Sequence, residues 1–99
     1  MKKTTIDYEI YFSKRCEHNL NQIEYYIEYE LQNPIVANKI IGKLIDKIFI
    51  LKQFQYIGSI YNTTSRLIVY KNFLIFYEIQ EEQKLIIIKT IIHRKRNTK

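Results

Sequence analysis

Apolar and polar positions alternate over residues 6–12, with Ile6, Tyr8, Ile10 and Phe12 on one side and Asp7, Glu9 and Tyr11 on the other. A period of two puts successive side chains on opposite faces, so this stretch predicts a half-buried strand. The period then changes. Cys16, Leu20, Ile23, Ile27 and Leu31 recur every three or four residues, the spacing of one helix stripe, and Ser13 ahead of them is a good N-cap. They predict a helix over residues 14–32, with Glu17, Glu24, Glu28 and Glu30 on its solvated face. Asn33-Pro34 starts a second helix, Asn as cap and Pro at the first helical position, where a missing N–H does no harm. Its stripe of Ala37, Ile40, Ile41, Leu44, Ile45, Ile48 and Leu51 predicts a helix over residues 34–54. So tight a join makes the pair an antiparallel hairpin.

Residues 55–64 show no periodicity and read as a loop. Residues 67–70, 73–79 and 85–92 are dense in Ile, Val, Phe and Tyr, which suit a pleated, packed surface. Lys71-Asn72 and residues 80–84 are short enough to join them as antiparallel hairpins, since a parallel return needs a much longer crossover. In the last strand, strict alternation puts Ile86, Ile88, Thr90 and Ile92 against the core. Leu85, Ile87, Lys89, Ile91 and His93 then fall on an open face. The element order β-α-α-β-β-β gives the helical hairpin and the sheet one apolar face each. Burying both predicts an α+β fold, a two-layer sandwich of an antiparallel helical hairpin on a mostly antiparallel four-stranded sheet.

Composition fits one folded domain over residues 1–99: 46% of residues are hydrophobic, with two Gly and one Pro. Cys16 is the single cysteine, so the sequence holds no disulfide framework, and with two isolated His residues it suggests no metal site. No apolar run is long enough for a membrane span or a signal peptide, which predicts a cytoplasmic protein without membrane partners. The net charge of +6 gathers at the end, where Lys89, Arg94, Lys95, Arg96 and Lys99 follow one another without an acid. Such a patch suits nucleic acid, a ribosome surface or an acidic protein segment. Elsewhere plain readings stand beside the functional ones: Cys16 and Tyr77 as packing residues, His18 as inert surface, Lys39, Lys43 and Lys47 as a solvated helix face or a nucleic-acid track, and Arg66 as either a partner for an acid of the sheet such as Glu78 or a functional cation.

The opening IDYEIYFS, the helix HNLNQIEYYIEYELQNP with its successor, Arg66-Leu67 ahead of a strand, KNFLIFYEI and the closing IIIKTIIHRKRN together resemble the RelE/ParE superfamily of small bacterial toxins. The resemblance covers nearly the whole chain. It implies the toxin half of a type II toxin–antitoxin pair, without cofactor, joined in a hetero-oligomer to a cognate antitoxin through that protein's acidic or amphipathic C-terminal segment. On this sequence that segment is expected to cover Leu85, Ile87 and Ile91 and to meet Arg94, Lys95 and Arg96.

The superfamily divides by mechanism. RelE-like members resemble ribosome-dependent mRNA endonucleases, in which a base and several cations promote attack of a ribose 2′-hydroxyl on the adjoining phosphate. Here His93 is the candidate base, and Arg66 and Lys89, with Arg94 and Arg96, are the candidate cations. Two departures weigh against that chemistry: Leu74 stands where the RelE pattern has an Arg, and the sequence ends at Lys99 without the segment that bears the RelE tyrosine. The ending His93-Arg94-Lys95-Arg96-Asn97 looks more like the ParE branch, whose members poison DNA gyrase by binding. Three function classes follow, in order of preference: a gyrase-binding toxin, an mRNA endonuclease acting on the ribosome, and a non-toxic interaction domain.

Overall fold

The computed structural model describes residues 7–95. Strand β1 (Glu9–Phe12) leads through Ser13 into helix α1 (Lys14–Leu31). The Ser13 hydroxyl accepts from the Cys16 N–H at 3.0 Å, meeting one of the donors that a helix start leaves unpaired. Helix α1 ends at Gln32, whose left-handed backbone (φ 54°) lets its N–H donate to the Glu28 carbonyl at 2.7 Å. The chain restarts at once. The Asn33 side-chain oxygen accepts from the N–H groups of Ile35 and Val36 at 3.1 and 3.2 Å, and Pro34 opens helix α2 (Pro34–Phe49). After Phe49 the chain tightens into a 3₁₀ turn at Ile50–Lys52. Leu51 remains fully buried there, so the apolar stripe outruns the α-helix, and this is why the sequence predicts a longer one.

Both helices lie on one face of a sheet ordered β1-β5-β4-β3-β2, the later strands being β2 (Ser59–Ile60), β3 (Arg66–Tyr70), β4 (Phe73–Gln80) and β5 (Leu85–His93). The last four form an antiparallel meander, and β1 runs parallel to β5, from Glu9 beside Leu85 to Phe12 beside Ile88. The α+β sandwich stands, but the sheet has five strands where four are expected. Both residues of β2 are exposed, and two residues carry no alternation to read. Strand β1 begins at Glu9, and Ile6 lies outside the described residues. One core joins Cys16, Ile23 and Ile27 of α1 and Ala37, Leu44 and Ile48 of α2 to Ile68, Ile75, Tyr77, Ile86 and Ile88 of the sheet. On α1 the acidic face is less solvated than expected, since Glu24 and Glu28 are half-buried.

Strand β5 departs from simple alternation. Tyr77 pairs with Ile88 but its neighbour Phe76 pairs with Thr90, so Lys89 is an extra, bulged residue. Before the bulge Ile86 and Ile88 face the helices; after it Ile91 and His93 do, at 2% and 7% exposure. The expected placement of Ile91 and His93 on the open face is therefore wrong, and Thr90 and Ile92 take that face instead. Strand β1 ends where the bulge begins, and α1 takes over as neighbour to β5. The Ser13 N–H donates to the Ile88 carbonyl at 3.1 Å, and its hydroxyl donates to the Lys89 carbonyl at 3.0 Å. The Asn19 side-chain oxygen accepts from the Ile91 N–H at 3.1 Å and the Thr90 hydroxyl at 3.2 Å.

This division of roles sets the expected cost of single substitutions. Ile48→Ala, fully buried against the sheet, should cost about 2–5 kcal/mol through the cavity it leaves. Asn19→Ala should cost about 1 kcal/mol by orphaning the Ile91 N–H, whereas Asn21→Ala, on the exposed side of α1, should stay within about 0.5 kcal/mol. Urea unfolding measures all three, and equal values for the two Asn variants refute the edge-filling role of Asn19.

Candidate functional site

Arg66 opens β3 opposite the core-facing Tyr77, so it lies on the helix side of the sheet. Its guanidinium turns to the loop before β2. Nη1 donates to the carbonyls of Gly58 and, at 3.3 Å, of Tyr56, while the group sits 5.0 Å from the Tyr56 ring centre. Glu78, the acid expected beside it, faces the other way and pairs with Lys89 at 3.8 Å. Lys89 projects from the bulge and also donates to the Ser65 hydroxyl at 2.8 Å and the Thr64 hydroxyl at 3.4 Å. With both partners about a third exposed, the ion pair is worth at most about 1 kcal/mol and mainly aims the lysine.

His93 lies on the helix side at the far end of β4, opposite Phe73. Its ring stacks on Phe73 (centroids 4.8 Å apart, planes 19° apart) and meets the Tyr26 ring edge-on at 5.8 Å. The structure therefore does not bring His93, Arg66 and Lys89 together. Arg66 and His93 neighbour Tyr77 and Phe73, four residues apart and so about 13 Å along β4. Lys89 looks out from the opposite face. Stabilising the charge of one phosphorane needs donors within hydrogen-bond reach of the same oxygens, and these three residues do not share a point.

Tyr77 is committed to the fold. Fully buried, its hydroxyl donates to the Gln55 carbonyl at 2.7 Å and accepts from the Gly58 N–H at 2.9 Å. A Cβ at Gly58 would stand 2.6 Å from that hydroxyl and 2.8 Å from the Leu67 carbonyl, so only glycine allows the approach. Burial raises the Tyr77 pKa above its ordinary value, against the lowering effects of the Gly58 N–H and the Arg66 charge. Cys16 is likewise closed off: burial, aided by the Glu17 carboxylate, pushes its thiol up to about 12, leaving almost no thiolate at neutral pH.

The open face of the sheet carries apolar rows across several strands. Val69, Leu74 and Ile92 form one, Leu67, Phe76 and Thr90 the next, and Glu78, Ile87 and Tyr11 the third. Leu85 and Ile87 lie here half-buried as expected, whereas Ile91 belongs to the core. Tyr61 lays its ring edge against Phe76 at 4.9 Å. At the end of β5, the Arg94 N–H donates to the Asn72 carbonyl at 2.8 Å and its guanidinium reaches the Lys71 carbonyl at 3.4 Å. Lys95 is exposed beside them, and Arg96 lies outside the described residues. Sequence reasoning missed a cleft of about 320 Å³ between the hairpin and the β3–β4 turn, lined by Tyr26, Tyr70, Phe73 and His93 with Lys43, Lys71 and Lys95. The available signal was Lys71-Asn72, a cation set among aromatic residues at a turn. Among the described residues no group of three His, Cys, Asp or Glu is placed to hold a metal, and no helix is long and apolar enough to cross a membrane.

Residues 10–98 match the family model described as the ParE toxin of the type II toxin–antitoxin system parDE. No curated protein matches the sequence. Among solved structures, a chain of the chromosomal ParDE toxin–antitoxin system from P. aeruginosa superposes with a TM-score of 0.74 at 16% identity, over 87% of this chain and 95% of that one. A chain of the RelBE2 toxin–antitoxin complex from Mycobacterium tuberculosis superposes with a TM-score of 0.68 at 15% identity, over 95% of this chain and 98% of that one. At such identities the likeness is one of fold.

The raised Tyr77 pKa has a signed consequence. The fold favours the neutral phenol, so this stabilisation is complete below the ordinary value of 10.0 and is lost as pH rises through the higher folded value. Tyr77→Phe should cost about 1–3 kcal/mol at neutral pH by orphaning the Gly58 N–H, and should weaken the alkaline loss of stability. Urea midpoints at neutral pH and at about pH 11 test both effects; equal alkaline losses in parent and variant refute the assignment.

Proposed function

The chain belongs to the ParE toxin family of type II toxin–antitoxin systems, and on that premise we propose that it arrests bacterial growth by binding DNA gyrase, a cognate antitoxin holding it inactive. The observation that carries this reading is the dispersal of the candidate catalytic residues. Arg66 is engaged by the carbonyls of Tyr56 and Gly58, Lys89 by Glu78 and Ser65, and His93 is packed on Phe73. Phosphoryl transfer to a 2′-hydroxyl needs a base and cations fixed around one phosphate. A poison that works by binding needs a shaped surface and complementary charge, and the exposed basic end of β5 supplies the charge.

The antitoxin's place on this reading is the open sheet face. Leu74, Phe76, Ile87 and Ile92 give contiguous apolar surface, with Lys89 inside it and Arg94 and Lys95 beyond its end. Apolar area with Lys89 paired to Glu78 inside it and the cations Arg94 and Lys95 at its end suits an amphipathic segment carrying Asp or Glu. Ile87→Asp should weaken antitoxin binding by about 2 kcal/mol or more, since it buries an unpaired charge beside acidic residues of the partner. Calorimetric titration of antitoxin into the variant and the parent measures the change; unchanged affinity removes the open face from the interface.

Expressed without its antitoxin, the protein should produce DNA breaks and a DNA-damage response while messages on ribosomes stay whole, and purified gyrase should lose supercoiling activity in its presence. Transcripts cut within codons at the ribosomal A site, with gyrase unaffected, overturn the gyrase reading in favour of the endonuclease one.

A further inference from the structure

We propose that the cleft between the helical hairpin and the β3–β4 turn is a nucleotide site that takes a planar ring inside and a phosphate at its mouth. The inference stands independently of the toxin's target. The cleft holds about 320 Å³, within the usual range of small-ligand sites. It lies on the helix side of the sheet, away from the apolar rows of the open face.

Its walls divide by chemistry. Tyr26 and Tyr70 are half-buried at its sides, and Phe73 and His93 form its floor as a stacked pair with ring centres 4.8 Å apart. Ile27 and Ile40 complete an apolar interior from the two helices. Such an interior accepts a flat ring by offset or edge-to-face contact with the aromatic side chains already there.

The mouth is basic. Lys43 comes from α2, Lys71 from the β3–β4 turn and Lys95 from the end of β5, all exposed. Lys71 sits in the left-handed region at φ 53°, with its ammonium 5.6 Å from the Tyr70 ring centre. Three cations brought from three elements to one opening, against the single acid Glu30 among the lining residues, favour an anion. Neither a bare phosphate nor a neutral ring uses both halves; a nucleoside phosphate does. Asn72 and Glu30, also at the lining, supply donors and acceptors for ring edges or ribose hydroxyls.

The test uses the full chain, adenosine 5′-monophosphate as probe, and adenosine and inorganic phosphate as its two halves, followed by amide NMR shifts. The monophosphate should shift the signals of Asn72, Phe73 and His93, and bind at least about tenfold more tightly than either half. Lys71→Gln with Lys95→Gln, both on the exposed rim, should weaken it about tenfold without moving the melting temperature. Tyr26→Leu should weaken adenosine and the monophosphate alike while leaving phosphate unaffected. A 5′-phosphorylated trinucleotide separates two sources: equal affinity assigns the site to a strand end, weaker binding to a free mononucleotide. Phosphate binding as tightly as the monophosphate, an acidic peptide without rings displacing it, shifts confined to the open face, or no shift up to about 10 mM probe overturns the proposal.

Discussion

One strand edge governs the arrangement of this molecule. Strand β5 lies between β1 and β4, yet β1 stops at Phe12 while β5 continues to His93. Unpaired backbone groups along that remainder would be costly wherever water is excluded. The start of α1 meets them through Ser13, whose N–H donates to the Ile88 carbonyl and whose hydroxyl donates to the Lys89 carbonyl, and through the Asn19 side chain at the Ile91 N–H. Ser13 also caps α1 through the Cys16 N–H. One residue thus fixes where the helix begins and where it sits on the sheet. The bulge at Lys89 falls at this junction, and everything beyond it on β5 is inverted.

That inversion separates what sequence could show from what it could not. Ser13, Asn33 and Pro34 act locally, so the helix starts were legible; the helix N-cap and the N1 proline work through neighbours within a few residues. The Lys71-Asn72 hairpin was legible for the same reason, and Lys71 accepts the left-handed backbone the turn requires. The bulge depends on β4 and α1, distant in sequence, and nothing in LIIIKTIIH marks which residue is the extra one. Period-two reading held for Leu85, Ile86, Ile87 and Ile88 and failed from Thr90 on. It sent His93 to the open face, where an imidazole near Lys89 would have looked like half of a catalytic site. Strand β2 and the parallel place of β1 likewise depend on distant partners.

The same coupling explains why Arg66 is a poor candidate for chemistry. The Tyr77 hydroxyl and the Arg66 guanidinium draw the loop before β2 against β3 and β4, through Gln55, Tyr56 and Gly58. Gly58 is hemmed in so closely that no other residue fits without displacing Tyr77 or the Leu67 carbonyl. The Arg66 Nη1 is committed to two carbonyls, with the guanidinium beside an aromatic ring. Moving it to a substrate phosphate would strand those carbonyls, a loss comparable to the gain from a new charge-assisted contact.

The half-buried Lys89 and the exposed Lys43, Lys71 and Lys95 give the molecule two differently charged sides. On the open face a single lysine stands among apolar rows beside Glu78, a surface matched to a broad, amphipathic partner. At the far end of the sheet, Lys43, Lys71 and Lys95 surround a narrow aromatic cleft with one acid. Broad apolar surface gains from a partner that excludes water over a large area, whereas a narrow basic mouth gains from compact anionic charge. On the two readings proposed above, the open face and the cleft use different side chains except at Lys95, which lies at the end of β5 and also lines the cleft. Lys71 and Arg94 lie next to each other at the end where the faces meet, with Arg94 reaching the Lys71 carbonyl.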